Sequence, residues 1–354
     1  MSGGIDSSVT ALLLHEQGYE IIGITMKTWD YATSGGTKRT TGCCSLDDIN
    51  DARALAVDLG FPHYILDIRE EFGEYIIDNF VDEYLAGRTP NPCVLCNTHI
   101  KWDALVKRAN QLDCEFIATG HYAQIREENG RHVISKGHDE NKDQSYVLWG
   151  LKQENLKRTI FPCGGYTKPE IRQIAMEHGY ESIAKKSESY EICFVPDNDY
   201  RGFLKRKVDG LEERVAGGKF VDKHGKVLGT HEGYPFYTVG QRKGLGVALG
   251  RPVFVTRIEP ETNTVVLGDE EDLFSLRMMV RNINLIKYAE LTEPTEAITK
   301  IRYKDKGHFS LLEQQGNNMQ VTFYEPVSAI APGQSAVFYE GNDLIGGGFI
   351  MRSE

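Results

Sequence analysis

No stretch of this 354-residue chain stays apolar long enough to span a bilayer, and no secretory leader is visible. These absences point to a cytoplasmic protein with no membrane partner. Cysteine is sparse and odd in number. Seven residues in a chain of this length do not make a disulfide framework, so the thiols read as reactive, metal-binding or buried. Basic residues are in the minority, 40 Lys and Arg against 51 Asp and Glu, and the net charge of −11 argues mildly against nucleic acid as a partner of the whole surface. The acid excess lies in residues 1–198. The middle of the chain is slightly basic, with local clusters at Lys205-Arg206-Lys207 and Arg242-Lys243. No internal repeat or low-complexity tract is present. What remains is ordinary globular composition, 40% hydrophobic and 26% charged, enough for two or three domains.

The stretch Ser2-Gly3-Gly4-Ile5-Asp6-Ser7-Ser8 is small, flexible and rich in hydroxyls, and it runs into a helical apolar pattern at Val9, Leu12 and Leu13. Free backbone N–H groups at a helix start form a cradle for phosphate, and glycines let the backbone close on the anion. Asp6 would repel a phosphate unless a cation stood between them, and Mg²⁺ is the natural candidate. The lysine of the Walker motif is missing, so γ-phosphate transfer is not the obvious chemistry. The loop resembles the SGGxDS loop of the ATP pyrophosphatases, which cleave ATP between the α and β phosphates.

Along the chain, strands are expected at Tyr19–Met26, His63–Ile68 and Glu115–Thr119. Helices alternate with them: one with a Ser45/Asp48 capping box, one from Phe72 to Tyr84, and one over about Thr98–Leu112. This alternation predicts an α/β fold with a parallel sheet whose ligands bind beyond the carboxyl ends of the strands. Met26, the Trp29–Cys44 loop and Gly120-His121 fall at that end. A phosphate loop of this kind ordinarily follows a strand, yet here it is reached at residue 2. The expectation is therefore an empty sheet slot beside the loop, which puts the activity of the chain as written in question. From Asn198 the pattern turns to short β runs at Lys219–Val221, Phe236–Val239, Val253–Ile258 and Thr264–Leu267. Beyond Leu273 it reads as strands only, including Ala297–Tyr303, Met319–Phe323 and Ala336–Tyr339, with a hairpin at Gly341-Asn342-Asp343. These runs predict a small antiparallel barrel. Three domains follow: 1–198, 199–270 and 271–354.

Cys93 and Cys96 lie three apart in Asn91-Pro92-Cys93-Val94-Leu95-Cys96-Asn97, just ahead of the expected helix. A thiol at a helix N-terminus gains thiolate character. Cys193 lies far off in Ile192-Cys193-Phe194. Structural zinc would need a second Cys-x2-Cys, which is absent. Cys43-Cys44, Cys114 and Cys163 read as structural.

Taken together, the segments of the chain resemble the bacterial tRNA-specific 2-thiouridylase family along nearly its whole length. The resemblance rests on Ser2–Ser8, Gly87-Arg88-Thr89-Pro90-Asn91-Pro92, Cys96-Asn97, Ala118-Thr119-Gly120-His121-Tyr122, Lys142-Asp143-Gln144-Ser145-Tyr146, Ile192-Cys193-Phe194, Phe236 through Gly246, Ile301-Arg302-Tyr303 and Pro332 through Tyr339. It implies a Rossmann-like ATP-pyrophosphatase domain, a small mixed central domain that binds tRNA, and a C-terminal antiparallel β-barrel. It also implies 2-thiouridine formation at the wobble position of the tRNA anticodon stem-loop, with ATP adenylating the C2 oxygen before sulfur replaces it.

By the same resemblance, ATP would be bound by Ser2, Gly3, Gly4, Ile5, Asp6, Ser7, Ser8, Met26 and Gly120, with Mg²⁺ on Asp6 through the nucleotide. Cys96 would be the nucleophile and Cys193 the carrier of a persulfide, leaving a Cys96–Cys193 disulfide after transfer. The target base, extruded from its loop, would meet Asn91, Pro92 and Cys93. The tRNA would meet His121, Lys142, Asp143, Gln144, Arg302, Tyr303 and Gln334. A sulfur donor such as a cysteine desulfurase or a sulfur-relay protein is a further implied partner. Cys93 departs from the commoner aspartate, and this opens a second route: Cys93, Cys96 and Cys193 as ligands of a 4Fe–4S cluster. Two other classes stay open at this point, a different ATP-pyrophosphatase ligase of the amidotransferase type and a non-catalytic tRNA-binding paralogue.

Overall fold

The structure, a computed structural model, describes residues 1–29, 46–186, 192–195 and 197–353. The Ser45 capping box, Cys43-Cys44 and the loop after Trp29 lie outside the described residues. Two compact units emerge. One comprises Met1–Ile76, Cys93–Asp199 and Asn342–Leu344; the other comprises Ile77–Pro92, Tyr200–Gly341 and Ile345–Glu354.

In the first unit, α1 (Ile5–Glu16) is buried along most of its length. Its Ile5, Val9, Leu12 and Leu13 share a core with Leu55, Tyr122, Cys163, Ile171, Ala175 and Ile183. A helix this apolar on every side belongs inside a layered fold, not on its surface. β1 (Gly23–Lys27) runs parallel to β2 (His63–Asp67), with Gly23 opposite His63 and Lys27 opposite Asp67. Helix α2 (Leu46–Leu59) lies between them in sequence, and α3 (Arg69–Phe72) follows β2. β3 (Ile117–Ala118) is parallel to β6 (Thr159–Ile160). The two ladders are separate among the described residues. Met1 lies against β1: its ammonium donates to the Ile24 carbonyl, and its own carbonyl accepts the Thr25 hydroxyl at 2.7 Å.

Two expectations shift. The strand foreseen from Tyr19 starts only at Gly23, and Tyr19 is exposed. The helix foreseen at Thr98 starts at Pro92, because proline is at ease in a first helical turn. One hairpin was not foreseen, β4 (Ala123–Glu128) with β5 (Arg131–Lys136). Its turn, Asn129-Gly130, has both residues at positive φ. That dipeptide is a strong hairpin signal that lay unread in the sequence.

In the second unit the helices Asn79–Leu85 and Tyr200–Lys207 meet through aromatic rings. Tyr84 stacks on Tyr200 at 4.8 Å, and Phe80 meets Phe203 edge-on at 5.9 Å. β7 (Gly218–Val221), β8 (Val227–His231), β9 (Phe254–Glu259) and β10 (Thr264–Gly268) form a sheet in the order β8-β7-β10-β9. The run expected as a strand at Phe236–Val239 forms none: it opens in a 3₁₀ turn, Tyr234–Phe236, in which Pro235 has no N–H for a ladder. Phe236 and Tyr237 are still buried, which is what their β-like composition reported.

Six further strands close into an antiparallel barrel: β11 (Phe274–Leu285), β12 (Thr295–Lys300), β13 (His308–Gln315), β14 (Asn318–Ser328), β15 (Ser335–Glu340) and β16 (Asp343–Ser353). Their order is β11-β14-β13-β12-β15-β16, with β11 also pairing β16. Closure removes the sheet edges. Met278, Val280, Leu312, Met319, Val321, Phe323, Phe338 and Ile350 fill the interior. β12 stops at Lys300, short of the expected Tyr303, because the Asp305 carboxylate takes the Ile301 N–H into a turn.

Candidate active site

The phosphate loop is built as a strained turn into α1. Gly3 adopts φ +66°, and a Cβ there would lie 2.2 Å from the Asp48 carbonyl oxygen. Only glycine satisfies both the angle and the space. Gly4 caps the helix without any side-chain cap. The Ser7 hydroxyl accepts the Ser2 N–H at 3.1 Å and donates to the Gly4 carbonyl at 3.0 Å, which holds the loop in a closed curl. Ser8 is buried with its hydroxyl unpartnered. Lys186 clamps the loop from outside: its ammonium donates to the Gly3 carbonyl and to Asp48, each at 2.9 Å.

Asp6 is the hub. Its carboxylate accepts both oxygens' worth of contact from the Lys168 ammonium, at 2.7 and 2.9 Å, and the Tyr122 hydroxyl at 2.7 Å. Its backbone carbonyl accepts the Thr10 hydroxyl at 2.8 Å and the Cys163 thiol at 3.5 Å. Burial pushes that thiol up to about 12, so Cys163 is an inert donor here, as its structural reading implied. Lys168 is only 8% exposed. Its place is set by the capping box of the helix it opens, in which Thr167 and Glu170 bond each other's backbone. Asp6 is thus paired with a lysine 162 residues away in the chain. The sequence does show the helix start at Thr167-Lys168-Pro169-Glu170. Nothing in it shows that this start faces Asp6.

Gly120 approaches the same hub. A Cβ there would lie 2.8 to 2.9 Å from Asp6 atoms. The next residue, His121, is turned inward. It is 6% exposed, hydrogen-bonded to Thr119 at 2.8 Å and packed near Trp102 and Phe161. Burial, reinforced by the nearby Lys101 charge, holds its imidazole well below the ordinary histidine range. Gln144 brackets Tyr122, accepting its N–H and donating its own N–H to the Tyr122 carbonyl. Asp143 is buried and occupied within its own turn, where it accepts the N–H groups of Gly137 and Ser145 and the Ser145 hydroxyl. Of this expected RNA-facing set, Lys142 and Gln144 are partly exposed, whereas His121 and Asp143 serve the interior.

Cys93 lies in the first turn of the helix that starts at Pro92 and is exposed. Cys96, one turn on, is partly buried and opens a π-helical run to Ala104. Such wide turns recur at functional sites. Cys193 is partly buried in a turn next to Phe194, whose ring meets Phe72 of α3 edge-on at 5.8 Å. α3 also packs on the π-helical run. One short helix thus supports the segments of both Cys96 and Cys193. Among the described residues no three His, Cys, Asp or Glu side chains are grouped to hold a metal ion. Met26 sits in β1, opposite Leu66.

In the second unit Gln334 is committed to backbone. Its amide donates to the carbonyls of Thr89 and Pro90 at 3.1 and 2.9 Å, while Thr89 N–H bonds the Pro332 carbonyl. The Gly87–Pro92 segment and the Pro332–Ser335 turn are therefore one structure, joined also by Asn91 to Ser335 at 3.5 Å. Arg302 and Tyr303 are exposed after β12.

Comparison with known proteins matches residues 1–197 to the tRNA methyl transferase HUP domain, 202–269 to the tRNA methyl transferase PRC-barrel domain and 275–350 to the aminomethyltransferase β-barrel domain. The tRNA-specific 2-thiouridylase MnmA of Amoebophilus asiaticus is 66% identical over all of this chain and 94% of its own length. The protein of the same name from Cytophaga hutchinsonii is also 66% identical, over all of this chain and 96% of its own. That of Carboxydothermus hydrogenoformans is 49% identical over 99% of this chain and 96% of its own. With its loop, hub and barrel in place and this likeness end to end, the chain belongs to the tRNA-specific 2-thiouridylase family.

Proposed function

We propose that this chain forms 2-thiouridine in tRNA. ATP would adenylate the C2 oxygen of the wobble uridine with release of pyrophosphate, and sulfur would then displace AMP. The observation that carries this reading is the Asp6 hub: a glycine-built anion cradle with a buried cation, Lys168, aimed at it. The loop amides from Gly3 to Ser8 would bind phosphate, and the orphaned Ser8 hydroxyl gives the cradle one more group for a ligand to satisfy. Lys168 and Lys186 would offset the phosphate charge. Mg²⁺, if bound with the nucleotide, would be held by Asp6 and would neutralise charge on the phosphates. Lys168 would have to release Asp6 for this.

Sulfur chemistry falls to Cys96 and Cys193. The terminal sulfur of a Cys193 persulfide attacks C2, AMP leaves, and the Cys96 thiolate takes the remaining S–S bond to leave a Cys96–Cys193 disulfide, which a dithiol reductant reopens. The persulfide route needs only these two cysteines and no metal. A sulfur donor of the persulfide-carrying class, cysteine desulfurase or relay protein, would load Cys193 in the cytoplasm. Asn91, Pro92 and Cys93 would receive the extruded base, and Lys142, Arg302 and Tyr303 would contact the tRNA.

Two variants test the scheme. Asp6→Ala should abolish tRNA-dependent release of pyrophosphate. Cys193→Ala should keep that release and make no thiouridine. ATP–pyrophosphate exchange that proceeds without tRNA would replace this reading with a small-carbonyl ligase.

A further inference from the structure

The barrel carries a face that none of the roles above uses. Phe309 is 70% exposed and Tyr324 is 56% exposed. The register that sets Ser310 opposite Phe323, continued by one residue, places Phe309 and Tyr324 at facing positions, and Phe309 also pairs across to Ile298 of β12. Two large exposed aromatics thus occupy facing strand positions on the outside of a closed barrel. Isolated surface aromatics are ordinary, but neighbouring ones next to fixed charge are not.

The charge comes from the turn that leads into β13. Arg302, Lys304 and Lys306 are exposed there, and among the described residues none of them has a carboxylate partner. The turn's acid, Asp305, is turned inward. It accepts the N–H groups of Ile301 and Gly307 at 3.0 and 3.3 Å and pairs with His308 at 3.2 Å. Asp305 therefore fixes the loop's shape and takes its own negative charge out of the presented surface. Two acids remain near the aromatic side: Glu325, exposed next to Tyr324, and Glu296, which accepts the Tyr324 hydroxyl at 2.8 Å and pins that ring. On a chain with net charge −11 this is a local basic patch with two aromatic faces beside it.

We infer that Phe309 and Tyr324 form a stacking platform for unpaired bases of the tRNA, with Lys304 and Lys306 tracking the phosphates of the same strand. The chemistry is that of single-strand recognition: a π-face accepts any base, and cations follow the backbone. This inference rests on the proposed tRNA function and extends it to residues outside the motifs that suggested it.

The test is the affinity of the full-length protein for an unmodified tRNA transcript, measured by fluorescence anisotropy from low to moderate salt. Phe309→Ala should weaken binding about tenfold at every salt concentration, and Phe309→Trp should restore it. Lys304→Gln with Lys306→Gln should lower the slope of log affinity against log salt by roughly 1.5. Wild-type binding that Phe309→Ala leaves within about twofold overturns the platform alone. The same holds if Phe309→Ala changes only self-association in light scattering, since the face is then a contact between copies. A wild-type protein that binds no tRNA at any salt overturns the functional reading, and the platform with it.

Discussion

Lys168 carries a charge buried at the start of one helix and bound to an acid at the start of another. Both helix N-termini have positive dipole ends, so an acid there is stabilised and a lysine is not. Lys168 stays because Asp6 holds it, and an incoming phosphate competes for it on favourable terms. Charge-assisted hydrogen bonds contribute about 1.5–3 kcal/mol each. Lys168→Met should therefore weaken ATP binding about tenfold or more in calorimetry without Mg²⁺. Lys168→Met with Asp6→Asn should lose less than the sum of the two single changes, because the variants share one contact. Additive losses would mean that the ion pair does not link the two residues to a common ligand.

At the scale of elements, the fold brings together the ends of pieces that are remote in sequence. β3 ends at Ala118, and two residues on, Gly120 touches the first turn of α1 with no room for a methyl group. Gly120→Ala must push Asp6 or the strand end aside, at a typical overpacking cost of about 1–3 kcal/mol. The expected result is a lower melting temperature and loss of the further rise that ATP gives the native protein. Retention of that ATP-induced rise would show that the cradle tolerates the displacement. The π-helical run after Cys96 is a second element-scale device. It re-aims the side chains that follow Cys96 relative to an α-helix, and no periodicity in Cys96–Ala104 announced it.

Each unit of the whole molecule holds a buried histidine kept neutral. Burial first, and Lys101 after it, lower the pKa of His121 in the first unit; burial brings His231 in the second down to about 4. The unfolded chain protonates near the ordinary histidine value of about 6.5. Below that pH the unfolded state takes up protons that the folded state refuses. Stability is thus full above about pH 6.5 and falls as pH drops toward 4. Each histidine adds at most about 1.4 kcal/mol per pH unit over that window. Denaturant midpoints at pH 7.5, 6 and 5 should fall in step. His231→Gln should flatten the slope, whatever it does to the midpoint at pH 7.5, and an unchanged slope would refute the assignment.

The sequence alone determined what is written in local spacing. The Ser2–Ser8 run dictates a glycine turn into a buried helix, because nothing else satisfies φ and space at Gly3. Alternating apolar residues in Met319–Phe323 specify a strand, since a pleat buries every second side chain, and the continuous apolar run Ala336–Tyr339 specifies one buried on both faces. The family resemblance was legible in short motifs for the same reason: each is a contiguous device. Tertiary structure decided everything that depends on which devices meet. It paired Asp6 with Lys168, turned His121 and Asp143 inward, and committed Gln334 to the Thr89-Pro90 backbone. It also brought Phe309 and Tyr324 to facing positions through the strand register that sets Ser310 opposite Phe323. Such contacts join residues tens to hundreds of positions apart. Their energies come from burial and charge pairing across the folded chain, and a local pattern carries no record of either.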